Sequence, residues 1–394
     1  MSISSDSTLT TAEIQSALSA VVEHTVGPQA GEIDRTGAYP RDGMQALGDA
    51  GLLGLLSAAE VGGTGGSLAA AAHVIEQLAG KCGSTAMVVL MHYAAVSIIE
   101  AHGPEEVRRA IARGEHVTSL AFSEVGSRSH FWAPGSTATT GEDDTVVLDA
   151  RKSWVTSAGH ADSYVWSSKP LNSNDAPGGM AGMTLWLVPS NAAGLQVMGK
   201  FDGLGLRGNA SNPIAAMSVV VPAQARLGED GAGLDVALAT ALPHFLVLNA
   251  AFSLGIMEAL VTEAAAHLTR TRLEHLGQTL AQQPVSRAAF ARLRMRTDAT
   301  RALLQDTLTA LGTGREDAML RVLEVKAVAA EAASEVADGV LRLCGGAAFR
   351  KELSVERLFR DSLAARVMAP TSDSLQDFVG RVCLGLPLFD PAGE

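Results

Sequence analysis

TVVLDARKSWVTSA, residues 145–158, decides how the chain is read. Val, Thr and Trp suit a pleated, half-buried surface, and the turn-formers GEDD (141–144) close the run on its N-terminal side, so it predicts a strand. Two runs of similar texture follow, MTLWLVPS (183–190) and AAMSVVVPA (215–223), separated by NSNDAPGG and GLGLRGNASNP. Residues from Ser119 to about Leu227 therefore predict an antiparallel sheet or barrel. The flanks read differently. SLAAAAHVIEQLAGKCGSTAMVVLMHYAAVSIIEAHG (67–103) is rich in Ala and poor in charge, which suits helices buried on most sides, and a helical period returns from Gly233 onward. Near the start, Thr10-Thr11-Ala12-Glu13 forms a capping box ahead of Ile14, Leu18, Val21 and Val22. The order predicts an α+β chain with an N-terminal helical domain (1–118), a central β-domain (119–232) and a C-terminal helical bundle (233–394).

Composition narrows the partners. With 47% hydrophobic and 18% charged residues among 394, the chain has enough apolar surface for a large core divided into two or three subdomains. A net charge of −12 without a Lys/Arg block opposes binding to nucleic acid or to anionic membranes. MSISSDSTLTTAEIQ lacks the apolar centre of a signal peptide, and no uninterrupted apolar run reaches membrane-spanning length, so a cytoplasmic protein is expected. Cys82, Cys344 and Cys383 show no CxxC or Cys/His spacing; they are expected to be buried small apolar residues, with no metal site.

Four segments carry a family resemblance: LAFSEVGSRSHFWAP (120–134), KSWVTSAGHAD (152–162), GLGLRGNASNPIAAMSVVVPAQARLG (203–228) and LCGGAAFRKELSVERLFRD (343–361). In this order, and with helices on both sides of the strands, they resemble the acyl-CoA dehydrogenase superfamily of flavoenzymes. The resemblance implies that family's fold: an N-terminal helical domain, a central antiparallel β-sandwich or barrel and a C-terminal four-helix bundle. It also implies FAD. Trp154 would stack on the flavin ring and Thr156 would bond near its N5, the two lying two apart on a strand and so facing the same way. Phe122 and Ser123 would lie at the ring, Ser123 at its pyrimidine end, and Ser129 would reach the pyrophosphate. Arg272, one residue out of register, would cross to the partner's pyrophosphate. Gly345 and Gly346 would let the backbone approach the adenosine half from a neighbouring subunit, and Thr371 would touch the same half. A homodimer or homotetramer follows from that sharing, with an electron-transfer flavoprotein or a flavin reductase as redox partner.

The departures concern the base. In most of the family a glutamate removes the α-proton of the thioester; counted along RDSLAARVMAPTSD (360–373), its position falls on Ala369, followed by Pro370. In a minority it stands on an early helix of the C-terminal domain, which here gives Phe245, and the usual CoA-holding arginine aligns with Leu246. Val125 and Ala348 replace a proline and a glycine of the family motifs. Histidine has a suitable pKa for the proton, and His92, His130, His160 and His244 are the candidates; His244 stands beside the alternative base position and is taken as the catalytic residue. Glu124 is expected to bond backbone, and Phe131 and Trp132 to line the ring or pack in the core. Three functions fit: α,β-dehydrogenation of an acyl thioester on CoA or a carrier, with a non-standard base; a two-component monooxygenase using reduced flavin and oxygen; and a catalytically silent subunit paired with an active paralogue.

Overall fold

The computed structural model describes residues 11–127, 130–173 and 182–389. Helices come first: α1 (Thr11–Val21) runs through a π turn (Val22–Val26) into α2 (Gly27–Thr36), followed by α3 (Arg41–Asp49), α4 (Leu68–Ala79), α5 (Gly83–His102) and α6 (Glu105–Ala112). On α1, Ile14, Leu18 and Val21 are buried as their spacing requires, while the Thr10 cap lies outside the described residues. Ser67 accepts the Ala70 amide at 3.2 Å and starts α4. α5 has few charges and is buried nearly all round.

Seven strands follow: β1 (Thr118–Ala121), β2 (Thr137–Thr140), β3 (Thr145–Val155), β4 (Ser163–Ser168), β5 (Thr184–Pro189), β6 (Leu195–Val197) and β7 (Asn212–Pro222). They form a three-stranded sheet ordered β1-β4-β5 and a four-stranded sheet ordered β2-β3-β7-β6. The second sheet is antiparallel throughout, as expected, but β1 pairs parallel to β4. Trp166, Trp186, Leu148, Ile214 and Val219 are fully buried in the apolar core that these strands share.

The helices then resume with α7 (Gly233–Ala239) and α8 (Ala241–Arg270). A short hairpin that the sequence reading missed, β8 (Arg272–Leu273) with β9 (Gln278–Thr279), leads to α9 (Pro284–Thr313), α10 (Ala318–Cys344), α11 (Val355–Ser362), α12 (Ala364–Val367) and α13 (Ser372–Cys383). α10 packs on α8, α9 and α13, and buried alanines such as Ala329, Ala330, Ala332 and Ala333 let these helices approach closely. One apolar core joins this bundle to α4 and α5. The longest apolar helices stay within the fold, and the expectation that all three cysteines are buried needs correction. Gly83–His102 and Gly233–Arg270 are long and apolar enough to cross a membrane by length and composition, but 83% of each window is buried inside the fold, so they read as core helices. Cys82 and Cys344 are buried, whereas Cys383 is exposed on the last turn of α13.

Two buried charges tie these layers together. Lys152 on β3 is fully buried; its Nζ lies 2.5 Å from Glu124 Oε1 and donates to the Ser167 carbonyl at 2.7 Å and hydroxyl at 2.9 Å. Glu124 also accepts the Gly135 amide at 2.6 Å, the Ser136 amide at 3.2 Å and the Ser136 hydroxyl. Burial pushes the Glu124 carboxyl up, but the ammonium of Lys152 and these donors outweigh it and hold the group below the usual carboxylate range. The second charge is Asp361 on α11, which accepts the Leu206 amide at 2.7 Å and lies so close to α5 that a side chain at Gly83 would meet Oδ2 at 2.6 Å. Its neighbour Arg360 grips Asp34 with both nitrogens, at 2.6 and 2.8 Å, and the Leu204 carbonyl at 3.0 Å. Loop 203–208 is thereby fixed between the N-terminal helices and α11.

Lys152→Met leaves the Glu124 charge buried without its counter-charge and is expected to cost about 3–5 kcal/mol in urea unfolding. Adding Glu124→Gln is expected to recover part of that loss, because the amide oxygen still serves Gly135 and Ser136 without a charge. For Asp361, burial raises the pKa to about 6, against the bond from Leu206. A raised carboxyl pKa gives stability that is present below the unfolded value and lost as pH rises through the folded one. Wild type is therefore expected to lose on the order of 1–3 kcal/mol relative to Asp361→Asn between about pH 4 and pH 6, read from paired melting curves.

Candidate functional site

The end of β3 is irregular, and that irregularity exposes the site's largest aromatic group. The β3–β7 register shifts between Lys152 and Val155, and Trp154 within that shift has φ +57°. A positive φ is costly for a bulky residue, and bulges of this kind redirect a side chain. Trp154 is 68% exposed, with Phe201 edge-on at 6.4 Å. Thr156, by contrast, is buried beyond the strand's end, its hydroxyl 3.2 Å from that of Ser211. The expectation that strand alternation aligns Trp154 with Thr156 is therefore corrected: a bulge and the following turn set their positions.

Beside this bulge runs the loop after β1. Glu124 bridges to Lys152, and the Ser123 carbonyl accepts the Ser153 amide at 2.9 Å, so Ser123 is half-buried next to the strand that carries Trp154. Phe122 stacks on Phe131 at 6.5 Å. Trp132 packs against Phe131, Phe378 and Phe389 at 5.2, 5.6 and 5.0 Å, which makes Phe131 and Trp132 core residues that join the β-domain to α13. Glu124 bonds backbone as expected. Ser129 lies outside the described residues.

The other expected cofactor residues sit on the C-terminal helices. Gly345 (φ +60°) and Gly346 follow the end of α10 with open space where a side chain would be, and Phe349 beyond them is 82% exposed. Thr371 caps α13 by accepting the Ser374 amide at 3.3 Å. Arg272 is exposed on its hairpin and donates to the Gly277 carbonyl at 2.8 Å. An aromatic side chain in solvent, a half-buried serine on the adjoining loop and a side-chain-free backbone stretch are of the kinds a flavin dinucleotide uses, so the residues present fit that group.

Proton-handling groups are distributed unevenly. Ala369 lies in the turn between α12 and α13. Phe245 and Leu246 are buried apolar residues of α8. His92 is a satisfied core residue: it donates from Nε2 to the Leu53 carbonyl at 3.0 Å, accepts the Thr118 amide at 3.2 Å, and burial pushes its pKa down to about 4. His160 stacks on Tyr39 at 4.2 Å and accepts from Arg41 at 3.2 Å. His130 is exposed and donates to the Ser127 carbonyl at 2.9 Å. His244 donates from Nδ1 to the Thr240 carbonyl at 2.8 Å, which leaves Nε2 as an acceptor, and burial lowers its pKa and favours the neutral ring. It lines a cavity of about 260 Å³ with Glu100, Ser97, Leu56 and Leu68; neither Trp154 nor Ala369 lines that cavity.

Two groups beside the Ala369 turn escaped the sequence reading. Lys326 on α10 is fully buried and donates to the carbonyls of Met368 (2.9 Å) and Pro370 (2.7 Å). Asn249 on α8, also fully buried, has its Nδ2 3.9 Å from Met368 Sδ and its Oδ1 without a partner among the described residues. The available signal was spacing: Lys326 falls four residues from both Val322 and Ala330, on an apolar helix face.

Three family models match consecutive parts of the chain: the acyl-CoA dehydrogenase N-terminal domain over residues 8–114, the middle domain over 119–219 and the C-terminal domain over 231–384. The chain is 25% identical over 356 residues to the short-chain specific acyl-CoA dehydrogenase of Clostridium acetobutylicum, covering 89% of this chain and 92% of that one. It is 27% identical over 365 residues to the cyclohex-1-ene-1-carbonyl-CoA dehydrogenase of Syntrophus aciditrophicus, covering 91% and 86%. Butyryl-CoA dehydrogenase from Megasphaera elsdenii has a similar fold, with a TM-score of 0.88 at 22% identity over 96% of this chain and 100% of that one. With its helical, stranded and helical parts each matched in the family's own order, the chain belongs to the acyl-CoA dehydrogenase superfamily of flavin-dependent oxidoreductases.

Proposed function

We propose that the protein binds FAD against Trp154 and oxidises an acyl thioester at its α,β bond. The observation that carries this reading is Trp154 itself, a large aromatic side chain left in solvent by a strained bulge whose neighbours are locked by a buried ion pair. Covering it with a flat apolar ring removes that exposure, and the family membership supports a flavin as the ring. FAD, when bound, supplies the hydride-accepting chemistry. Trp154 and Phe122 would hold the ring, Ser123 and Thr156 its polar edge, and Ser129 the pyrophosphate. Gly345, Gly346, Thr371 and Arg272 would serve the adenosine half, with a second copy of the chain completing the site. An electron-transfer flavoprotein is the redox partner in this reading.

Removal of the α-proton needs an acceptor, and Ala369 and Phe245 have none. His244 is proposed for that role, because its ring is held neutral, its bond to Thr240 fixes the tautomer, and Nε2 is left as an acceptor with no hydrogen-bond partner among the described residues. The missing carboxylate at Ala369 also supports a second reading, a two-component monooxygenase supplied with reduced flavin, since that reaction does not call for the thioester base.

Anaerobic addition of a panel of acyl thioesters to the FAD-loaded protein separates the two. Bleaching of the flavin by a thioester alone is expected; no bleaching, with turnover only when reduced flavin and oxygen are supplied, sinks the dehydrogenase reading. His244→Asn is expected to slow bleaching at saturating thioester by about 100-fold or more while FAD remains bound. An unchanged rate removes His244 from the role.

A further inference from the structure

We propose that Lys326 is the ionisable positioning residue of this site, a neutral amine that holds the turn carrying Ala369 by both of its N–H bonds. An ammonium has three donors and, when buried, needs a counter-charge. Lys326 meets two carbonyls, of Met368 and Pro370, and these are its hydrogen-bond partners among the described residues. A neutral amine has two N–H bonds, one for each carbonyl, and that match makes it the satisfied form. α10 packs against α8, α9, α11, α12 and α13. Among the described residues, the charge acting on Lys326 from any of these elements is Glu331 of α10 itself, whose carboxylate is paired with Arg366 of α12 at 3.0 Å. Burial outweighs Glu331 and brings the amine down to about 7.

The placement gives the amine its meaning. The two carbonyls flank Ala369, so Lys326 fixes the backbone on both sides of the position that carries the base in most of the superfamily. The same turn lies against Asn249 through Met368 and leads into Thr371, the cap of α13. Asn249 Oδ1 and Ser372 Oγ, both buried, have no hydrogen-bond partner among the described residues. Protonation of Lys326 adds a charge and a third donor to this closed space and alters the turn. The bearing on catalysis rests on the dehydrogenase reading above; the state of the amine does not.

The test uses the full chain as wild type, Lys326→Met and Lys326→Arg. Between pH 10 and pH 7 the unfolded lysine takes up a proton while the folded one stays neutral, so wild type loses stability relative to Lys326→Met as pH falls through that range, and the gap levels off below about 7. Arginine stays charged throughout, so the gap between Lys326→Arg and Lys326→Met is expected to be constant with pH. Hydrogen exchange read by mass spectrometry is expected to speed up in peptides covering 366–372 in Lys326→Met and to stay unchanged over α8 and the rest of α10. A wild-type gap independent of pH, or exchange that is unchanged or spread evenly over the bundle, overturns the proposal. With FAD loaded, the rate of bleaching by a thioester is expected to change with pH around 7 in wild type and to lose that dependence in Lys326→Met; the wild-type profile in Lys326→Met also overturns it. If no thioester bleaches the wild-type flavin, the dehydrogenase reading falls, and the melting and exchange results still decide the state and role of Lys326.

Discussion

Lys152 and Glu124 lie on two segments that would otherwise have little reason to stay together: the interior of a strand and the loop that leaves the neighbouring sheet. Their ion pair is buried, and it is held by Ser167 on one side and by Gly135 and Ser136 on the other. A charge placed this deep tolerates little displacement of its partner, because the cost of an unpaired charge exceeds that of most packing defects. The consequence reaches the surface. With Lys152 pinned inward, the chain takes up the misfit two residues later, and Trp154 is turned outward at a positive φ beside the Ser123 loop.

A similar economy operates on the helical side. α5 and α8 are apolar and α10 packs an alanine-rich face on α8, yet α8 carries Asn249 and α10 carries Lys326, both fully buried and both directed to the turn at residues 368–370. Buried polar groups at a place where a purely apolar core would be more stable point to a function for that turn. Arg360 pairs with Asp34 of α2 and Asp361 accepts the Leu206 amide, so the helix that precedes the turn is fixed to the N-terminal helices and to loop 203–208.

Much of this architecture was legible in the sequence because local composition dictates it. Val, Thr and Trp runs between turn-formers gave β3, β5 and β7, an alanine-rich, charge-poor stretch gave α5, and the helical period from Gly233 gave α8 and α10. The parallel pairing of β1 with β4 was not legible, since the partners are separated by some forty residues and pairing direction leaves no mark on either strand. Nor was the bulge at Trp154. No glycine announces the positive φ, and simple alternation assigned Trp154 and Thr156 to one face when one is exposed and the other buried. Lys326 and Asn249 were missed for a related reason: a single polar residue on an apolar face looks like an imperfection until the fold shows which carbonyl or sulfur it meets. Ser123, Gly345 and Thr371 were expected at the site by resemblance alone, and the structure shows Thr371 capping a helix.

The account stands on Trp154 being the face that a flavin covers. Oxidative footprinting of the tryptophans with and without saturating FAD addresses this directly, because Trp154 begins mostly exposed while Trp166 and Trp186 are buried throughout. The predicted result is one FAD bound per chain, with Trp154 passing from the reactive to the protected class. Binding of FAD that leaves Trp154 as reactive as before, or no binding at saturation, contradicts it.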